Sequence, residues 1–352
     1  MIRVLVVDDS ALVRRRVTEI LHASADIRVI ATAQDPYVAA ARMRQSRPDV
    51  IVLDVEMPRM DGITFLRKIM AQHPIPVVIL SGQVTRDSPA ALAALEEGAV
   101  EVLAKGEMAN PGEAQRAHVL DAVRGAAGAR LVRRTQSQPP ARTRVAAVSG
   151  GHWDGTRLVV IGASTGGTEA IRRMLQLLPA HGPPVAIVQH MPAGFTRAFA
   201  RRLDQLCPAH VKEAEEGDAL LPGRVLVAPG GRHLVLRRRG AGFEAALQDG
   251  PLVMRHRPSV DVLFRSAAEC AGDRAAGVIL TGMGEDGARG LLAMREAGAR
   301  TLGQDETSSV VYGMPRAALA LGALQSQWPI DELMPAVLHA LQGPASRHAA
   351  TP

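Results

Sequence analysis

The feature that most constrains this chain is a rhythm that occurs twice. Short runs of Val, Ile and Leu alternate with longer stretches of helical period. In residues 1–125 the runs IRVLVVDDS, IRVIATAQD, PDVIVLDVE, IPVVILSG and AVEVLA read as five strands, separated by helical stretches such as ALVRRRVTEILHAS and DSPAALAALEEG. Runs that are apolar throughout belong to strands covered on both faces, so a parallel sheet with helices on either side is expected. The rhythm resumes at Arg157 with RLVVIGAS, PVAIVQHM, RVLVAPG and AGVILTGMG, interleaved with helical TEAIRRMLQLLP, GFTRAFARRLDQL, SVDVLFRSAAEC and ARGLLAMREAG. A hairpin around HLVLRRRGAGFEAAL, turning at Arg239-Gly240-Ala241-Gly242, interrupts the series, and DELMPAVLHALQG reads as a closing helix. The expected fold is α/β, with two doubly wound parallel-sheet domains.

Between the two rhythms lies a seam. From Ala122 to Arg144 there is no acidic residue, while Arg124, Arg130, Arg133, Arg134, Arg142 and Arg144 cluster there and TQSQPP has no apolar period. The expected division is a domain at 1–125, a linker at 126–156 whose start frays off the last helix of the first domain, and a second domain at 157–345. A length of 352 residues with 47% hydrophobic and 22% charged residues supports two substantial cores and excludes a largely disordered chain. With aromatics at 3%, those cores are aliphatic. Cys207 and Cys270 show neither redox nor metal-ligand spacing, so packing is their expected role. The opening apolar run ends on two aspartates, which does not suit a signal peptide, and no run has bilayer-spanning length; a soluble, cytoplasmic protein without membrane insertion is expected. The net charge of +6 suits either a generally basic surface or an acidic partner. Nucleic acid is not an expected partner, because no zinc-finger spacing, basic zipper or convincing helix-turn-helix follows the first domain.

The first domain gathers charge at one edge. Asp8 and Asp9 end its first strand and Asp54 its third, and in a doubly wound sheet those ends share the ligand-binding edge. Three converging carboxylates repel one another; a hard divalent cation such as Mg²⁺ relieves this with all-oxygen ligands. Ser81 ends the fourth strand and Lys105 follows the fifth. A carboxylate beside Mg²⁺, an ammonium and a small hydroxyl can hold a phosphoryl group on Asp54.

The second domain offers a nucleophile. Gly162-Ala163-Ser164-Thr165-Gly166 is G-x-S-x-G at a strand-to-helix turn, where flanking glycines push a serine outward and a helix N-terminus favours negative charge. A structural turn or a phosphate loop would also use glycines here, although neither the G-x-G-x-x-G order nor a Walker lysine is present. His190 ends the second strand and suits a general base or a satisfied core histidine. Asp286 follows TGMGE before a helix and suits an orienting acid or an N-cap. Taken together at one sheet edge, Ser164, His190 and Asp286 have the logic of acyl transfer: a weak nucleophile, a proton acceptor, and a carboxylate that fixes the imidazole.

These segments carry two resemblances. The first domain, with DVEMPRMDG after its third strand, resembles the receiver domains of two-component response regulators, which have a flavodoxin-like fold. That resemblance implies that Asp54 is the phosphoacceptor, that Asp8, Asp9 and Asp54 with the backbone carbonyl of Glu56 hold Mg²⁺, and that Ser81 and Lys105 couple phosphorylation to surface change. Gly106 after the lysine and Val102 three residues before it depart from the usual Pro and aromatic. IGASTGGTEAI, VQHMPAGFTRAFARRLD, RPSVDVLFRSAAE and GVILTGMGEDGARGLLAMREAGARTLGQDETSSVVYGMPRAA resemble the CheB family of chemotaxis protein-glutamate methylesterases. The resemblance implies hydrolysis of glutamyl methyl esters on methyl-accepting chemotaxis receptors with release of methanol, and deamidation of receptor glutamines. It places Ser164, His190 and Asp286 in catalysis, the Met283 N–H at the oxyanion, and Thr165 near the site. It further implies a CheA-type histidine kinase as phosphodonor, inhibition by the unphosphorylated receiver, and no cofactor for hydrolysis. Arg201, Arg202, Arg255 and Arg257 are candidates for a rim contact with a glutamate-rich substrate or for ordinary solvated surface. A CheB-like hydrolase of a non-chemotaxis receptor and a non-catalytic phosphorylation-responsive adaptor are the alternatives.

Overall fold

The computed structural model describes residues 1–57, 60–82, 89–108, 111–130 and 153–342. The chain divides into two compact units, Met1–Pro139 and Pro140–Pro352. In the first, β1 (Ile2–Val7), α1 (Ala11–His22), β2 (Ile27–Ala33), α2 (Pro36–Gln45), β3 (Val50–Asp54), α3 (Gly62–Gln72), β4 (Val77–Ser81), α4 (Pro89–Glu96), β5 (Glu101–Ala104) and α5 (Glu113–Ala127) follow in order. The sheet runs β2-β1-β3-β4-β5 with parallel pairing throughout. Every residue of β3 and β4 is buried, which is why their sequences do not alternate. Ser10, Asp35 and Asp61 each accept a backbone N–H from the first turn of α1, α2 and α3, so polar residues just beyond the strands start the helices. The strand order reverses between β1 and β3, and their C-terminal ends flank the resulting crevice.

Helix α5 continues to Ala127, two residues past the expected end of the first domain, because Val123 and Ala126 are buried in the core. Arg124, one of the arginines of the seam, is tied down: Nε lies 2.9 Å from Asp26 Oδ2 and Nη2 donates to Ser24 Oγ at 2.6 Å. That guanidinium holds the Asp26 carboxyl well below the usual carboxylate range. Arg133, Arg134, Arg142 and Arg144 lie outside the described residues.

The second unit contains β6 (Leu158–Ala163), α6 (Gly167–Leu175), β7 (Val185–Gln189), α7 (Phe195–Leu206), β8 (His210–Glu213), β9 (Ala219–Leu220), β10 (Arg224–Val227), β11 (His233–Arg239), β12 (Gly242–Gln248), α8 (Val260–Ala271), β13 (Ala275–Ile279), α9 (Ala288–Glu296), β14 (Arg300–Gln304), α10 (Met314–Ala320), β15 (Ser326–Trp328) and α11 (Ile330–Gln342). Its main sheet is parallel, in the order β15-β14-β13-β6-β7-β10-β8. The hairpin β11–β12 has the expected turn, with Arg239 opposite Gly242, and β9 joins it in a small antiparallel sheet. One hydrophobic core connects both sheets through α8 and α9 and includes Leu158, Val188, Leu234, Phe243, Phe264 and Leu291. Truncating the fully buried Phe264 to alanine would cost about 3–5 kcal/mol.

Strands β8, β14 and β15 and helix α10 go beyond the elements expected from the sequence. β8 and β15 are short sheet edges, and β14 (RTLGQ) buries Thr301 and Gln304 where an aliphatic run would have been visible. Strand β6 is central. The chain winds away from it through β7 on one side and later returns to place β13 on the other, so the topological switch point lies at β6.

Candidate active site and acidic pocket

Ser164 leaves the end of β6. Its N–H donates to the Thr281 carbonyl (3.1 Å) and the Ala163 carbonyl accepts the His190 N–H (3.1 Å), so the turn is tied to the exits of both neighbouring strands. A Cβ at Gly282 would stand 2.8 Å from the Ser164 Cβ, so only glycine permits this approach. Thr281 braces the same turn: its hydroxyl donates to the Thr165 carbonyl (3.0 Å) and accepts the Val311 N–H (2.9 Å). From β7, the Gln189 amide donates to the carbonyls of Ser164 (2.9 Å) and His190 (3.1 Å). Ser164 is 7% exposed and Thr165 is buried.

The His190 side chain, 3% exposed, places Nε2 2.8 Å from Asp286 Oδ2. Its Nδ1 is buried without a hydrogen-bond partner. A neutral imidazole donating Nε2–H to the carboxylate leaves Nδ1 as its lone-pair acceptor. Nδ1 and the Ser164 hydroxyl are not hydrogen-bonded to each other. The His190 ring stacks on His256, with centroids 3.7 Å apart and planes 10° from parallel.

Asp286 does not cap the helix that follows it; α9 starts after Gly287, which has a φ of +93°. Its carboxylate instead serves the N-terminus of α8. Oδ2 accepts the Val260 N–H (2.7 Å), and Oδ1 accepts the Ser259 hydroxyl (2.8 Å) and the Asp261 N–H (3.1 Å). In return, Asp261 Oδ1 accepts the Gly290 N–H of α9 at 2.6 Å. Burial alone would raise the Asp286 carboxyl, but the His190 hydrogen bond and charge, with the α8 amides, outweigh it and hold it at about 2. Burial and the neighbouring Asp286 push the Asp261 carboxyl upward. Ser259, Asp261 and Gln189 carried no sequence signal of this role; Ser259 preceding the apolar period of α8 was readable only as an N-cap.

Met283 lies in the segment between β13 and α9. Gly282 uses its carbonyl to accept the Gly313 and Met314 N–H groups, whereas the Met283 N–H has no protein acceptor among the described residues. Arg255 and Arg257 are exposed on the His256 loop, and Arg201 and Arg202 are exposed on α7.

In the first unit, Asp8, Asp54 and Ser81 are buried at the sheet edge while Asp9 is exposed. Lys105 Nζ lies 2.8 Å from Asp8 Oδ2 and 2.6 Å from Asp54 Oδ2. Asp8 Oδ1 accepts the Ser10 N–H and Asp54 Oδ1 the Glu56 N–H. Burial pushes the Asp54 carboxyl up to about 6 even though Lys105 and the Glu56 amide oppose it. Burial would lower the Lys105 ammonium, but its pairing with Asp54 and Asp8 outweighs this and raises it above the ordinary value. One oxygen from each of Asp8, Asp9 and Asp54 falls within 4.8 Å of the others. Three carboxylates against one ammonium form an all-oxygen set with charge to spare, which fits a hard divalent cation. Val102 is buried in β5.

A sheet with a serine turn at its switch point, preceded in the chain by a separate α/β unit with an acidic pocket, defines a receiver-linked hydrolase. Family models match accordingly: the response regulator receiver domain over residues 4–111 and CheB methylesterase over residues 159–337. The chain belongs to the CheB methylesterase family. A Rhodospirillum rubrum protein named protein-glutamate methylesterase/protein-glutamine glutaminase 2 is 54% identical, with 96% of this chain and 98% of that protein aligned. An Anaeromyxobacter dehalogenans protein of the same name, numbered 5, is 54% identical over 96% of each chain. The crystal structure of the Thermotoga maritima CheB methylesterase catalytic domain, 35% identical, superposes with a TM-score of 0.51, covering 52% of this chain and 97% of that one.

Proposed function

We propose that this enzyme hydrolyses glutamyl methyl esters on methyl-accepting chemotaxis receptors, and deamidates receptor glutamines, under control of phosphorylation at Asp54. The observation that carries this reading is the buried His190–Asp286 pair beside the Ser164 turn, with Nδ1 left as the free acceptor. Ser164 Oγ attacks the ester carbonyl as its proton passes to Nδ1. Negative charge develops on the former carbonyl oxygen, and the unpartnered Met283 N–H is the donor available to it, with Thr165 beside the nucleophile. Asp286 stabilises the imidazolium. When the tetrahedral species collapses, the C–O bond to methoxide breaks, the imidazolium proton goes to the leaving oxygen, and methanol departs. Water then repeats the sequence on the acyl-serine, giving its proton to Nδ1 and regenerating Ser164 with free glutamate; on glutamine the first leaving group is ammonia.

Asp54 receives the phosphoryl group from a CheA-type histidine kinase. Asp8, Asp9, Asp54 and the Glu56 carbonyl would hold Mg²⁺, which when bound neutralises charge on the transferred group. Lys105 and Ser81 take its remaining oxygens and carry the change outward, relieving inhibition by the receiver. No helix among the described residues is long and apolar enough to cross a membrane, and we place the enzyme in the cytoplasm, recruited to receptor clusters.

The test is methanol release from a methylated receptor preparation by the full chain with Mg²⁺, with and without a small phosphodonor. Basal release that rises with donor is expected. No release, under either condition and from the fragment beginning near residue 150, would favour a hydrolase of another receptor or a non-catalytic receptor-binding adaptor.

A further inference from the structure

We infer that His256 is a positioning residue for His190: its ring clamps the catalytic imidazole in the plane that aims Nδ1 at the Ser164 turn. This rests on the catalytic reading above and adds a residue to it. His190 is held along one edge by Asp286 through a single nitrogen. One hydrogen bond leaves a ring free to swing about that contact, and the opposite nitrogen has no partner to stop it. The restraint comes from the face, where His256 lies 3.7 Å away and nearly parallel.

The backbone that delivers His256 is strained. Met254 and Arg255 carry φ values of +49° and +68°, in the left-handed region that side-chain-bearing residues seldom adopt. The turn is closed by paired backbone hydrogen bonds between Val253 and His256, at 3.1 and 2.9 Å. Such conformations cost about 1–3 kcal/mol each and persist where the surroundings over-determine them. Three residues further on, Ser259 and the first amides of α8 grip Asp286. A single segment, 253–261, therefore fixes the carboxylate from behind and the imidazole from its face.

The experiment compares His256→Phe, which keeps a flat ring, with His256→Leu, which fills similar volume without one, and with His256→Asn, which keeps polarity. All are made in the full chain. Two readouts are taken: kcat and KM for methanol release, and the rate at which a small fluorophosphonate labels Ser164, followed by mass spectrometry. The labelling needs no receptor, so a wrong receptor assignment and a wrong role for His256 give different results. The leucine protein is expected to lose about 10- to 100-fold in kcat and labelling rate with KM within about threefold, and the phenylalanine protein to recover to within about threefold of the parent. Equal loss in Phe and Leu, rescue by Asn alone, or a change confined to KM would overturn the inference, as would parental rates in all three. Thermal unfolding of each protein separates these outcomes from loss of fold: the Phe–Leu ratio is read between variants that both melt cooperatively. If the leucine protein does not, His256→Met supplies the non-planar comparison.

Discussion

Two buried aspartates, one in each unit, sit at the C-terminal edge of a parallel sheet and end up with opposite properties. Asp54 is pushed up to about 6 and Asp286 is held at about 2. Both suffer desolvation, so burial does not distinguish them. The donors do. Asp286 receives two α8 backbone amides, a serine hydroxyl and an imidazole. Asp54 receives one backbone amide, faces Asp8 and shares a single ammonium with it. The proposed catalytic site satisfies its own charge and can be rigid. The receiver pocket is under-neutralised, which suits a site whose cation and phosphoryl group come and go.

The sharpest way to break this contrast is to remove the self-sufficient charge. Asp286→Asn should lower kcat for methanol release by about 10⁴-fold, since the amide cannot hold the required tautomer. Ser164→Ala should lose at least as much while leaving thermal unfolding unchanged. Retained turnover in either, with contaminating esterase excluded, would dissolve the proposed roles. On the receiver side the loss is conditional. Asp54→Asn, or chelation of divalent metal by EDTA, should abolish stimulation by a phosphodonor and leave basal release within about twofold.

A subtler probe uses pH. Unfolded, Asp286 would bind its proton near pH 4, and folded it does so only near 2. Between those values the unfolded state holds more protons, so the stability due to this group is complete above pH 4 and drains as pH falls toward 2. Urea denaturation of the chain should show about 1 kcal/mol less stability at pH 3 than at pH 5 from this source, and Asp286→Asn should remove that increment. The smallest effect is expected at the thiols. Burial pushes Cys207 and Cys270 up to about 11. At pH 7.5 the thiolate fraction is then on the order of 10⁻³ or less, so alkylation should be slow and Cys→Ala at either position should change turnover by less than about twofold.

Much of this arrangement is legible in the sequence. The strand ends declare themselves because apolar runs stop abruptly on Ser164, His190, Asp8 or Asp54, and a doubly wound topology brings such ends to one edge. What cannot be read is whatever depends on distant segments meeting. Asp286 has the position of a cap for its own helix, and nothing local says that it serves α8, whose first residue precedes it by 26 positions. His256 stands in an arginine-bearing turn with no period, 66 positions from the His190 on which it stacks, so nothing local announces the contact. Strand β14 is hidden for a different reason: its buried Gln304 is satisfied by hydrogen bonds with the Thr281 N–H and the Ser308 carbonyl rather than by apolar packing.

The crossed bonds between Asp286 and α8, and between Asp261 and α9, have a practical corollary for anyone wanting an inactive form of this enzyme to trap its substrate. The carboxylate proposed to orient the imidazole is also a fastener of two helices, so a protein silenced there is altered in architecture as well as in chemistry. Ser164 carries no such second duty through its side chain. A substrate-trapping decoy should therefore be silenced at the nucleophile, which leaves the docking surface as it is in the working enzyme.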